Sequence, residues 1–166
     1  QTDRDVALRV LGFLDAVSTA AEARVRKENR GGRTGDAEAR ARIWLMNSKG
    51  LVVRDNPGIQ PHQVPFVREG RLEPTLLDAV KAVKPTVLIG TSTQPGTFTR
   101  EVVEAMRSYC RRSVIFPYSN PTSKAECTAD QAYTWSGGRA LYASGSPFDP
   151  VTFEGKTFVP RQGNNS

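Results

Sequence analysis

Short apolar runs recur along the chain, and each is followed by turn-forming residues. They are ALRVLGF (Ala7 to Phe13), RIWLMN (Arg42 to Asn47), TVLIGT (Thr86 to Thr91), SVIFPYS (Ser113 to Ser119) and ALYAS (Ala140 to Ser144). Their length and their β-branched or aromatic content predict strands. Between the runs, apolar positions return at helical spacing. Asp15 to Glu28 is rich in Ala, Glu and Arg; Glu73 to Val83 places Leu76, Leu77, Val80 and Val83 on one face; Phe98 to Tyr109 clusters Val102, Val103 and Met106. A weaker helix is expected over Thr128 to Thr134.

Strand and helix in alternation, with strands apolar enough to be covered on both faces, predict an α/β fold. Five strand–helix units are too few for a closed eight-fold barrel, so the expectation is a doubly wound, mostly parallel sheet with helices on both faces. Punctuation agrees with the pattern. Thr75 precedes one helix and Pro85 ends it, while Thr97 or Thr99, with Glu101 behind it, suits the start of the next. NRGGRTGD (Asn29 to Asp36) and the proline-bearing Asp55 to Arg71 read as irregular excursions, the second a long loop whose composition is also that of disorder. Val151 to Pro160 alternates apolar residues around Glu154-Gly155-Lys156 and predicts a short C-terminal hairpin. The whole chain, residues 1–166, reads as one domain or an incomplete piece of a larger one. It begins with Gln, which suggests a processed product or a part of a longer protein.

Composition narrows the function classes. The net charge of +6 admits an anionic partner, but the basic stretch Arg24 to Arg42 carries no interleaved aromatics, so nucleic acid is not expected. No apolar run approaches the roughly 18 residues that span a bilayer, so no membrane partner is expected either. The acidic residues in QTDRDVALRV argue against a leader peptide. Cys110 and Cys127 are too distant for a Cys-x-x-Cys motif and too few for a disulfide framework, and a reducing compartment is the simplest reading. His62, the only histidine, is expected on a surface loop, which leaves triads and His-based metal sites without material.

In an open α/β sheet, ligands gather beyond the carboxyl ends of the strands. Small and polar residues stand at each predicted end: Gly12, then Asn47, Ser48 and Lys49, then Gly90, Thr91 and Ser92, then Ser119 and Asn120, then Ser144 to Ser146. Such residues permit close backbone approach to a phosphate or ribose, and they also simply make turns. The first turn reads Gly12-Phe13-Leu14-Asp15-Ala16-Val17, so only the first glycine of a G-x-G-x-x-G fingerprint is present. After the second strand, Asn47, Ser48 and Lys49 stand where an acid would select NAD; their chemistry favours NADP, against the alternative of a solvated lysine in a turn. The Asn120-Pro121 step presents an amide at a strand mouth or caps the following helix.

Longer strings carry a resemblance: IWLMNSKGLVV, LLDAVKAVKPTVLIGTS, GTFTREVVEAM, SNPTSKAECTADQAYTW, GRALYASGSPFDPV and VPRQGNN. Together they resemble the Rossmann-like nucleotide-binding domain of malic enzyme, most closely the plant-type NADP-dependent branch. The resemblance covers Ile43 to the C-terminus and, with more divergence, Leu8 to Arg26. It implies oxidative decarboxylation of malate to pyruvate and carbon dioxide, with NADP or NAD as cofactor and Mg²⁺ or Mn²⁺ in the complete enzyme. By it, Gly12, Asp15 and Ala16 match the phosphate turn, and Ser48 with Lys49 the NADP-selective position. Asn120, Asn164 and Asn165 would contact substrate or the nicotinamide end. The family's acid/base pair and metal-binding carboxylates have no counterpart here, so the chain alone is expected to be inert and to hold no metal. A diverged module that keeps the fold and binds nucleotide weakly or not at all is the alternative. The family also implies a homo-oligomer. The expected compartment is the cytoplasm, with chloroplast or mitochondrion as alternatives.

Overall fold

A computed structural model describes residues 10–13 and 40–163 of the 166-residue chain. The predicted strands form as expected: β1 (Val10–Phe13), β2 (Ile43–Asn47), β4 (Val87–Gly90), β5 (Val114–Pro117) and β6 (Leu141–Ser144). Two further short strands extend the sheet, β3 (Gly50–Leu51) and β9 (Arg161–Gln162), and β7 (Val151–Phe153) with β8 (Lys156–Phe158) makes the predicted hairpin. The strand order is β3-β2-β1-β4-β5-β6-β9. All neighbours run parallel except β3, which returns antiparallel along β2. The chain therefore grows outward in both directions from β1, and β1 marks the point where the winding reverses.

Helices α1 (Leu76–Val83), α2 (Arg100–Tyr109) and α3 (Ala129–Ser136) match three predicted segments. Their starts are set by hydroxyl caps: Thr75 accepts from the Asp78 N–H, Thr99 from Val102 and Thr128 from Gln131. Each satisfies a donor that the first helical turn leaves unpaired. Of the two threonines ahead of α2, Thr99 is the cap, and the Thr97 hydroxyl instead donates to the Gln94 carbonyl. Phe98 and Val103 straddle that cap, both fully buried in one cluster, which is the arrangement of a hydrophobic staple. Lys84 ends α1 in the left-handed region at φ 51°, immediately before Pro85.

The alternation of side chains along the strands divides the core. Met46, Leu88, Ile115 and Tyr142 pack with the three helices on one face. Ile43, Leu45, Val87, Ile89 and Val114 form a second cluster on the other, closed partly by Phe66. Phe66 belongs to a 3₁₀ helix, Pro61–Phe66, inside the segment expected to be an irregular loop. Burial of Gln63 and Phe66 anchors it, while His62 on the same turn is exposed, as expected. The predicted helix Asp15 to Glu28 and the excursion Asn29 to Asp36 lie outside the described residues.

Candidate functional site at the carboxyl ends of the strands

Gly12 was expected just beyond the first strand, but β1 runs on to Phe13. Parallel pairing continues on both sides there, with Gly12 opposite Leu45 and Ile89, and the backbone ladder keeps the glycine within the strand. Asn47 likewise closes β2 and Gly90 closes β4. Asp15, Ala16, Asn164 and Asn165 lie outside the described residues.

The ends of β2 and β4 face each other across a cleft of about 460 Å³. Asn47, Ser48 and Gly58 line one side and Thr91, Ser92 and Gln94 the other. Because β1 runs between β2 and β4, the cleft straddles the end of β1, at the reversal of winding. Among the described residues, no aspartate or glutamate contributes to its lining. Ser48 and Lys49 are exposed at its lip, and the Lys49 stem lies against Gly58, where an added Cβ would come within 2.8 Å of it.

The Asn47 side chain turns into a knot of amides. Its Nδ2 donates to the Gly58 carbonyl at 3.0 Å and to Gln63 Oε1 at 3.3 Å. Its Oδ1 accepts from the Lys49 N–H at 2.9 Å and from Asn56 Nδ2 at 3.1 Å. Asn56, itself buried, also donates to the carbonyls of Gly50 and Leu51 and accepts from the Gly58 N–H. These bonds fix the β2–β3 turn and the following loop, and so set where Ser48 and Lys49 stand.

A second network joins the ends of β4 and β5. Glu126, fully buried, reaches between them. Its Oε1 accepts from the Ser92 N–H at 2.8 Å, the Ser92 hydroxyl at 2.9 Å and the Ser119 hydroxyl at 2.5 Å. The Ser119 oxygen in turn accepts from the Thr93 N–H at 2.8 Å. The Glu126 carbonyl also accepts from Phe98 N–H, tying the same residue to the entrance of α2. A buried carboxyl is tolerated only when its oxygens are supplied with donors, and here the donors come from both strand-end loops. Sequence reading passed over Glu126. The available signal was a charged residue between Ala125 and Cys127, both buried, immediately before the Thr128 cap. Burial, and then the neighbouring Glu126 charge, pushes the Cys127 thiol well above its usual range.

Asn120, at the mouth of β5, is exposed and precedes Pro121 across a cis peptide bond. Rather than capping the turn at Thr122–Lys124, its Oδ1 accepts from the Ser146 hydroxyl at 2.5 Å. Gly145 is tight against this pair: a Cβ there would stand 2.3 Å from the Tyr118 carbonyl oxygen and 2.9 Å from the Asn120 amide. The structure thus brings Asn47, Ser48, Thr91 and Ser92 to one cleft, and sets Ser119 and Asn120 on the adjoining strand end. Among the described residues no three His, Cys, Asp or Glu side chains gather as metal ligands, and no helix is long and apolar enough to cross a membrane.

Residues 8–166 match the family model described as malic enzyme, NAD binding domain. Similar curated proteins include the chloroplastic NADP-dependent malic enzyme of Zea mays, 57% identical over 130 residues, which is 78% of this chain and 20% of that protein. The NADP-dependent malic enzyme of Populus trichocarpa is 48% identical over 157 residues, 94% of this chain and 27% of its own length. NADP-dependent malic enzyme 1 of Arabidopsis thaliana is 53% identical over 130 residues, 78% of this chain and 22% of its length. The chain thus spans about a fifth to a quarter of the length of the relatives it matches.

Proposed function

Since the chain belongs to the malic enzyme family through its NAD-binding domain, we propose that it is the NADP-holding part of an enzyme that oxidatively decarboxylates malate to pyruvate and carbon dioxide. One observation carries the cofactor choice. Among the described residues, no carboxylate lines the cleft between the ends of β2 and β4, and exposed Lys49 lies against its lining residue Gly58. A carboxylate there would accept hydrogen bonds from an adenosine ribose and repel a 2′-phosphate; an ammonium beside a hydroxyl does the reverse. Lys49 and Ser48 are the residues for that phosphate. Thr91 and Ser92 stand where the cofactor backbone would cross from β1 toward β4. Ser119 and Asn120 stand at the next strand end, toward the nicotinamide, with Asn164 and Asn165 assigned to substrate by the family's closing motif.

NADP, when bound, would supply the hydride acceptor for malate oxidation; the divalent metal and the proton-transfer groups would come from outside this chain. In this reading the chain supplies binding and orientation and is inert alone. The Glu126 network serves it by fixing two loops before the cofactor arrives, so less ordering is needed on binding.

Titrating NADPH and NADH into the chain, followed by Trp44 and Trp135 fluorescence, tests the proposal. Saturable binding tighter for NADPH is expected, with the preference reduced about tenfold in Lys49→Ala, the loss of one charge-assisted contact. Equal affinity for both nucleotides would overturn the assignment of Lys49. Absence of binding to a folded chain would leave a diverged module that keeps the fold.

A further inference from the structure

We infer that the opposite end of the sheet carries a second binding site, for an organic anion with an apolar body. The α2–β5 and α3–β6 loops, at the amino-terminal ends of β5 and β6, flank a cleft of about 630 Å³ together with β8 and β9. That volume is within the range of small-molecule pockets, ~300–1,000 Å³. Among the described residues, four arginines line it, Arg111, Arg112, Arg139 and Arg161, and no aspartate or glutamate does. All four are exposed. Arg139 donates from Nε to the Ser136 carbonyl at 3.4 Å.

A set of arginines on a solvated surface is common. This set differs in what lies beneath it. The floor is aromatic, with Tyr133 and Phe158 stacked at 4.4 Å between ring centroids and Tyr142 beside them. Large hydrophobic side chains exposed among the described residues are Val64, Leu141 and Val159, and the last two, at 40% and 61% exposure, both border this cleft. Arg112, Arg139 and Arg161 bring like charges to one apolar surface, and an anion seated among them would relieve their repulsion. The planar forks bind phosphate or carboxylate oxygens in pairs, and the floor offers an apolar group somewhere to go. The ligand class follows: a phosphate ester or a polycarboxylate whose body is aromatic or aliphatic. The site stands apart from the cofactor cleft, at the other end of the same parallel strands, so both could be filled together.

The test uses the 166-residue chain, with methyl and backbone amide NMR spectra as readout. 1-Naphthyl phosphate and phthalate represent the two acid groups, and inorganic pyrophosphate represents charge without an apolar body. Saturable shifts of the Leu141 and Val159 methyls with one or both organic anions are expected, and whichever binds identifies the acid group preferred. Arg112→Glu with Arg161→Glu should weaken that binding at least tenfold while leaving amide shifts elsewhere unchanged. Arg112→Lys with Arg161→Lys, which keeps the charge and loses the forks, should fall between and shows that any loss is not unfolding. No saturable shift, pyrophosphate binding as tightly as the organic anions, or unchanged affinity in the charge-reversed variant would each overturn the proposal.

Discussion

The carboxyl group of Glu126 fills the space that a side chain on Gly90 would need: a Cβ at Gly90 would lie 2.5 Å from Glu126 Cδ and 2.8 Å from its Oε2. The neighbour cannot swing aside cheaply, because its oxygens are held by Ser92 and Ser119. Gly90→Ala should therefore cost about 2–3 kcal/mol of stability, at the upper end of ordinary overpacking. Denaturant unfolding measures it. If the clash is with this side chain, Glu126→Ala with Gly90→Ala together should cost less than the sum of the two single changes, since the first makes room for the second.

Glu126→Gln keeps the shape and changes the chemistry. The amide oxygen can keep the three bonds that Oε1 accepts from Ser92 and Ser119, but without the carboxylate charge, and the NH₂ that replaces Oε2 faces the Ser119 N–H, which already donates. A loss of about 1–3 kcal/mol is expected, the cost of leaving buried donors poorly matched. NADPH affinity should fall as well, because the loops after β4 and β5 lose their common anchor. Unchanged stability and unchanged affinity would show that the two loops hold their positions without it.

Asn47→Asp separates the two roles of the β2 end. The carboxylate cannot donate to the Gly58 carbonyl or to Gln63 Oε1, so the turn should lose about 1–2 kcal/mol. It also places a negative charge beside Ser48 and Lys49, and the ratio of NADPH to NADH affinity should drop about tenfold or more, by roughly one opposed charge contact. Asn47→Ala should show a stability loss with a smaller change in preference, since it loosens the turn that carries Lys49 but adds no negative charge. Parallel titrations of both nucleotides into the three proteins give the comparison.

Much of this architecture was legible because the central parallel strands are mostly apolar and the described helices carry hydroxyl caps. Val87 to Gly90 and Leu76 to Val83 announce themselves by composition and spacing alone. β3 and β9 did not, because two-residue strands have no period to read, and they exist only through their neighbours. The 3₁₀ helix at Pro61–Phe66 was hidden by its prolines; burial of Gln63 and Phe66 against the sheet overrides their local preference for an open loop. At the site, residues at strand ends could be named from position, but their partners could not. Nothing local in Asn47 points to Asn56 and Gln63, and Glu126 meets Ser92 across 34 positions of chain.

Alkaline pH should unfold the chain earlier than its net charge alone would suggest. Burial raises the Cys110 and Cys127 thiols above their ordinary 9.0 and the Tyr109, Tyr133 and Tyr142 phenols above their ordinary 10.0. The native state thus holds these protons more tightly than the unfolded state. Their contribution to stability is complete below the unfolded values and is lost as pH rises through them toward the native ones. Denaturation midpoints should be flat to about pH 8 and decline from about pH 9 upward. The Cys127 thiol, buried beneath Tyr142 whose hydroxyl donates to the Cys127 carbonyl, should resist thiol reagents until that decline begins.

The hairpin turn offers a change in the stabilising direction. Glu154 and Gly155 both have positive φ, 48° and 74°, between strands β7 and β8, the backbone of a type I′ turn. Glycine bears this without strain, but glutamate does not, and asparagine suits the first position best. Glu154→Asn should therefore raise stability by about 0.5–1 kcal/mol, the usual penalty for a side chain in the left-handed region. Gly155→Ala should lower it by a similar amount, although no atom lies within 4 Å of the added Cβ, so that the loss is conformational rather than steric. Because Phe158 follows this turn and stacks on Tyr133, the gain should also appear as slower amide exchange along β7 and β8. Equal exchange rates in Glu154→Asn and the unaltered chain would mean that the stacking, and not the turn, limits opening of the hairpin.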